Sequence, residues 1–271
     1  MLLKSSVCHQ LNPVARPWSP IPVQQVWPSS PNTGQTSPTQ RTKGFGQFHR
    51  LQLVACAGVE TTELCSYAEG CLPEGHCSIH RMQHADLGGA STLLMRCFGQ
   101  LGKLRLSDIE GLLAELLDEH EDIAFLVTRL TNPHDEALLP PGRESRVIGV
   151  AVIDFHGSSR QYLYSLQPPK DDPYISNMAV DPRFRRRGVA SGLLAAASAL
   201  CERQACNRIF LHIQAGASEA EALYLKAGFT VCKTEPPSLV QRLQGTEPRK
   251  LLMQPLPRHG LQSYLPAQLG R

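Results

Sequence analysis

Between Met1 and Val59 the chain has no aspartate and no glutamate, yet it carries five Lys/Arg, ten Ser/Thr and seven Pro there. Its stretch "WSPIPVQQVWPSSPNTGQTSPTQRTK" has neither helical nor strand periodicity, and it buries too little apolar surface to offset the entropy of ordering it. Acid-free, basic, Ser/Thr-rich N-termini have the composition of organelle import sequences. Nowhere does an apolar run approach the ~18 residues a helix needs to cross a bilayer, and the N-terminus lacks the compact apolar core of a secretory signal. Both absences argue against a membrane-spanning helix and against secretion. From Glu60 onward acid slightly exceeds base, so the net charge of +3 comes from the N-terminal segment. The part able to fold therefore lacks the broad basic face that nucleic-acid binding calls for.

What is present suffices for one domain with appendages: 271 residues, 42% hydrophobic and 19% charged. Nine cysteines without a secretory signal read as reduced thiols. "HCSIHRM" (76–82) predicts a strand and "LGGASTLLMRCFG" (87–99) a helix. In "LSDIEGLLAELLDEHED", Ser107 and Glu110 have capping-box spacing, and Ile109, Leu112, Leu113, Leu116 and Leu117 form one apolar stripe. "IAFLVTRL" (123–130), "RVIGVAVIDFH" (146–156) and "YISNMAV" (174–180) read as strands, the last ended by Asp181-Pro182. Helical spacing returns from Val189 to Ala205. The strand "RIFLHIQ" (208–214) follows, then a short helix opened by Ser218 and Glu221 and stopped by Gly228, and last the strands "TVCKTEP" and "RKLLMQPLP". This order implies an α/β mixed sheet covered by helices.

One stretch carries chemistry. "DPRFRRRGVASGLLAAASAL" places four arginines in five positions just before a helix of small residues. Unpaired amides at a helix start, together with the helix dipole, make an anion site; Gly188 permits close backbone approach, and Ala190, Ser191 and Gly192 remove bulk. The spacing is neither a Walker loop nor a Rossmann fingerprint. The phosphate ligand that suits this strand-loop-helix is the pyrophosphate of coenzyme A.

"ISNMAVDPRFRRRGVASGLL" resembles the acetyl-CoA motif of the GNAT superfamily of N-acetyltransferases, whose Gln/Arg-x-x-Gly-x-Gly/Ala pattern is met by Arg185, Gly188 and Ala190. Downstream, "ASEAEALYLKAGF" resembles the superfamily's Asn-x-x-Ala-x-x-Leu-Tyr-x-x-x-Gly-Phe signature everywhere but at its first position. The resemblance implies the GNAT fold and acetyl-CoA as co-substrate, with no metal. Met178, Ala179 and Val180 would offer backbone groups to the pantetheine arm. Arg186, Arg187, Gly188, Val189, Ala190 and Ser191 would cradle the pyrophosphate. Ala217, Ser218 and Glu219 would approach the ligand, although Ala217 replaces the signature asparagine and loses its side-chain contact. Tyr224 matches the proton donor to the leaving thiolate, which is chemically sensible: a phenol of pKa about 10 can protonate a thiolate whose thiol pKa is about 8.5 where water is excluded. Some relatives carry a glutamate base on the preceding strand where this chain has His212, leaving His212 or an ordered water as the base.

The import-like N-terminus makes the chain resemble plastid members that acetylate protein α-amino groups and lysines, with "LVACAG" as a processing site cut after Cys56. Plastid stroma is the expected location and the mitochondrion the alternative. The expected organisation is a transit peptide over 1–56, a linker over 57–75, the acetyltransferase domain over 76–258 and a tail over 259–271. Expected partners are protein or peptide amines, with no nucleic acid and no membrane; a small-molecule amine acceptor, or a catalytically weak CoA-binding module, is the alternative. Cys71, His76, Cys77, His80 and His84 match no zinc spacing well, and strand alternation sends His76 and His80 away from Cys77. No cysteine has an adjacent base that would make it a nucleophile.

Overall fold

The computed structural model describes residues 52–53, 67–98, 105–157, 166–237 and 247–257. The expected transit peptide, apart from Gln52 and Leu53, the cut after Cys56 and the tail lie outside them. The described strands form one nine-stranded mixed sheet in the order β1-β2-β3-β4-β5-β6-β7-β9-β8. They are β1 (Gln52–Leu53), β2 (Ala68–Leu72), β3 (Gly75–Arg81), β4 (Ile123–Thr131), β5 (Ser145–Asp154), β6 (Tyr174–Val180), β7 (Arg208–Gln214), β8 (Thr230–Thr234) and β9 (Arg249–Pro255). Every pairing is antiparallel except that of β6 with β7.

Among the described residues, four α-helices cover the sheet: α1 (Leu87–Phe98), α2 (Leu106–Glu119), α3 (Val189–Arg203) and α4 (Ser218–Lys226). The pleat divides the core. Ala151 and Ile153 of β5 join Leu193, Leu194 and Ala220 of α3 and α4 on one face, whereas Val150 and Val152 join Leu94 of α1 and Ile109, Leu113 and Leu116 of α2 on the other. Each leucine so buried contributes roughly 1.5–3 kcal/mol. Helix α3 sits tight on the sheet: a Cβ added at Gly149 of β5 would lie 2.9 Å from Val189 Cγ1 and 3.0 Å from Leu193 Cδ1. The start of α3 is thereby held over the middle of β5.

Sheet and helices follow the sequence reading, with four differences, the first being that strand β1 lies inside the stretch read as a disordered transit peptide, where it pairs with β2 at Gln52↔Glu69 and Leu53↔Ala68. Strand β2 falls inside the stretch read as linker; its AEGCL sequence has too little apolar alternation to announce itself, and its pairing with β3 is what orders it. Helix α2 starts at Leu106, so Ser107 lies in its first turn and the Ser107–Glu110 box is not its cap. Instead the backbone N–H of Arg105 donates to Asp108 Oδ2 at 2.9 Å. Helix α4 is capped at Ala217, one residue before the expected Ser218, and Glu221 is drawn away to accept from Lys250 Nζ at 2.8 Å.

Candidate active site

β6 and β7 hydrogen-bond as parallel neighbours only at Tyr174↔Phe210 and Ile175↔Leu211. Beyond Leu211 β7 continues its ladder with β9 as far as Gln214↔Arg249, while β6 stays with β5 and bulges. At the bulge Asn177 and Met178 together face Ala151, and Asn177 takes a left-handed φ of 48°. The two strands part at that point, leaving the β7-facing side of Met178 and Ala179 without a strand partner. Val180 differs, because its carbonyl already accepts from Arg185 Nε at 3.3 Å. Helix α3 follows β6 and α4 follows β7, so both helix N-termini flank the opening at the C-terminal ends of the parallel pair.

The loop into α3 is fixed from behind. Asp181, whose side chain is only 3% exposed, accepts from Arg146 Nη2 at 2.6 Å and from Arg96 Nη1 at 3.3 Å. Its Oδ1 accepts from the Arg183 N–H at 3.0 Å and caps the short 3-10 turn Pro182–Phe184. Arg146 also lies over the buried Phe184 ring and donates to Leu138 O at 3.0 Å. Past this anchor Arg186 and Gly188 take left-handed φ values of 63° and 87°. The first amide to find a carbonyl is that of Gly192, which donates to Gly188 O at 2.8 Å; those of residues 186–191 donate to no backbone carbonyl. A Cβ at Gly188 would meet nothing within 4 Å, so open space lies over the loop. Arg186, Gly188 and Ser191 are exposed, and no acid occupies the first turn of α3. Arg187 is drawn to Glu74 in the β2–β3 turn.

The turn into α4 is built differently. The amides of Ala215, Gly216, Ala217 and Ser218 are all engaged, by Pro248 O, Glu247 Oε2, Gln214 O and Gly216 O. Its first turn carries Glu219 and Glu221, which already answer the helix dipole. Ser218 and Glu219 are exposed and Ala217 is buried. One turn further along, Tyr224 is 3% exposed, edge-on to Phe229 with ring centroids 5.8 Å apart.

Residues 104–229 match the model of the acetyltransferase (GNAT) family. The chain carries a GNAT acetyltransferase domain. It is 26% identical over 242 residues, 80% of this chain and 74% of the relative, to the chloroplastic GCN5-related N-acetyltransferase 5 of Arabidopsis thaliana. Among solved structures it is similar to the ribosomal-protein-S18-alanine N-acetyltransferase from Escherichia coli, with TM-score 0.47 and 18% identity over 70% of this chain and 99% of that one. It is also similar to spermidine N-acetyltransferase from Vibrio cholerae in complex with CoA and spermine, with TM-score 0.47 and 13% identity over 67% and 96% of the two chains. The co-substrate of the GNAT fold is acetyl-CoA.

The GNAT domain's own atoms fit that co-substrate. Free amides, open space over a glycine and an exposed guanidinium are what a pyrophosphate needs, and residues 186–191 bring them together. His212, 8% exposed on β7, is the candidate whose chemistry the structure most changes. Its Nε2 lies 3.0 Å from the Leu166 carbonyl, which can only accept, so Nε2 carries the proton. Nδ1 must then accept the Tyr174 hydroxyl hydrogen at 2.9 Å. Burial first, and the Arg249 charge second, lower its pKa to about 4. Both ring nitrogens are committed, and the ring is neutral at any pH where the enzyme would work.

Sequence reasoning missed Asp181, Arg146, Arg96, Tyr174 and Asn177. Asp181-Pro182 was legible as a strand end; its tie to two arginines that lie 35 and 85 positions away in sequence was not. Burial raises the thiols of Cys77 and Cys201, that of Cys77 to about 12, which makes both poor nucleophiles. No group of three or more metal-ligating side chains occurs among the described residues.

Proposed function

We propose that this acetyltransferase acts on protein amines, α-amino groups ahead of lysines, inside the plastid. The observation that carries the reading is the parted β6–β7 pair, with an unengaged amide row at one flank and a buried tyrosine at the other. Acetyl-CoA supplies a thioester carbonyl as electrophile and a thiolate as leaving group. The amides of Arg186 to Ser191 hold the pyrophosphate, aided by the Arg186 charge, while Met178 and Ala179 offer backbone groups to the pantetheine arm. Tyr224 donates its hydroxyl proton to the departing thiolate.

The preference for α-amines follows from His212. A neutral imidazole with its one lone pair already bonded to Tyr174 is a weak proton acceptor, so the amine must arrive unprotonated, its later proton leaving through ordered water. At pH 8 an α-amino group is about half neutral, whereas well under about 1% of a lysine is. Support for the location is the acid-free N-terminus together with the name of the Arabidopsis relative, which is chloroplastic. A cut after Cys56 would take strand β1 with it and leave β2 as the sheet edge.

Residues 57–271 incubated with acetyl-CoA and peptides bearing either a free N-terminus or an internal lysine under a blocked N-terminus test the reading. CoA release is expected with the first set and several-fold less with the second. Release with spermidine but with no peptide would overturn it.

A further inference from the structure

Six buried side-chain polar atoms have no hydrogen-bond partner among the described residues, and two of them, Ser176 Oγ and Asn177 Oδ1, are on consecutive residues of β6. These residues come directly after the last β6–β7 pair at Ile175, where the strands part. Asn177 is only 6% exposed. A buried amide oxygen left unbonded is costly, and folded proteins rarely leave one so. The backbone accounts for part of the choice, since Asn tolerates the φ of 48° that the bulge imposes. Glycine would tolerate it equally well and bury no orphan oxygen.

We propose that Asn177 is a binding residue of the cleft, its side-chain oxygen accepting a hydrogen bond from an N–H of a molecule held between β6 and β7. The inference rests on the reading that acetyl-CoA and an amine meet there. Two sources can supply that N–H: an amide of the pantetheine arm and the acceptor amine itself. The Ser176 hydroxyl, the neighbouring atom without a partner, is on the same face as its partner Val152 and so toward α1 and α2. A site that buries an unmet acceptor discriminates sharply against ligands lacking the matching donor.

Asn177→Gly in the full chain separates side chain from backbone, because glycine keeps the positive φ and removes the amide; Asn177→Asp keeps the shape and an acceptor oxygen. Calorimetric Kd for acetyl-CoA, and KM and kcat for a peptide amine, are measured for both variants and wild type, with Tm as the check on folding. If the donor is pantetheine, Asn177→Gly raises the acetyl-CoA Kd about tenfold. If the donor is the amine, that Kd stays put and the peptide KM rises about tenfold. In either case Asn177→Asp recovers part of the loss. Asn177→Gly indistinguishable from wild type in both constants overturns the inference, as does equal loss in Gly and Asp variants accompanied by a lowered Tm. A wild-type protein that binds no acetyl-CoA would instead overturn the acetyltransferase reading beneath it.

Discussion

Two strand-turn-helix units flank the same opening, β6 into α3 and β7 into α4, and they are built in opposite ways. In the first, a buried carboxylate locks the turn from behind and leaves the amides of residues 186–191 facing open space, with no acid in the first helical turn. In the second, the turn's amides are consumed by Gln214, Gly216, Glu247 and Pro248, and two glutamates occupy the helix start. A helix N-terminus is therefore an anion site only when its amides are left over and its dipole is not already answered. On the proposed reading α3 would hold the phosphates and α4 would supply Tyr224.

That division can be broken by substitution. Tyr224→Phe is expected to lower kcat by about 100-fold or more while leaving the acetyl-CoA Kd unchanged, as removal of a proton donor does; single-turnover assays alongside calorimetry check it. Gly188→Val is expected to raise that Kd by about 100-fold, because a β-branched residue resists the φ of 87° and fills the space over the amides. Next comes the anchor. Asp181→Asn leaves Arg146 and Arg96 facing a neutral group, and is expected to cost about 3–5 kcal/mol in urea unfolding.

The neutral His212 gives a pH signature. Its folded pKa is held below its unfolded one, so its contribution to stability is complete above about 6.5 and is lost as pH falls through about 4. The shift corresponds to roughly 3 kcal/mol, and His212→Gln is expected to flatten the stability curve between those pH values. Smallest of all are the α4 controls. Ser218→Ala, and Gly216→Ala, whose new Cβ meets only the movable end of Glu247, are expected to change acetyl-CoA affinity by less than about twofold.

Much of this was legible from the sequence because it is local. β6 and β7 have the residue limits that their β-branched runs predict, and Gly188 stands immediately before α3, where the sequence reading put the start of the helix. What was not legible depends on distant segments or on weak local signals. The tautomer of His212 is set by Tyr174 and Leu166, from another strand and a loop. The caps were misplaced by one or two residues because Ser107 and Ser218 have the chemistry of caps, while Arg105 and Ala217, which hold those positions, do not. The bulge at Asn177 left no mark in a strand pattern of the right length and composition.

Backbone amide hydrogen exchange with and without saturating CoA tests the division between the two units most directly. The account expects CoA to slow exchange at residues 186–191 and to leave residues 215–218 as they were. Protection that appears at 215–218 and not at 186–191 would contradict it.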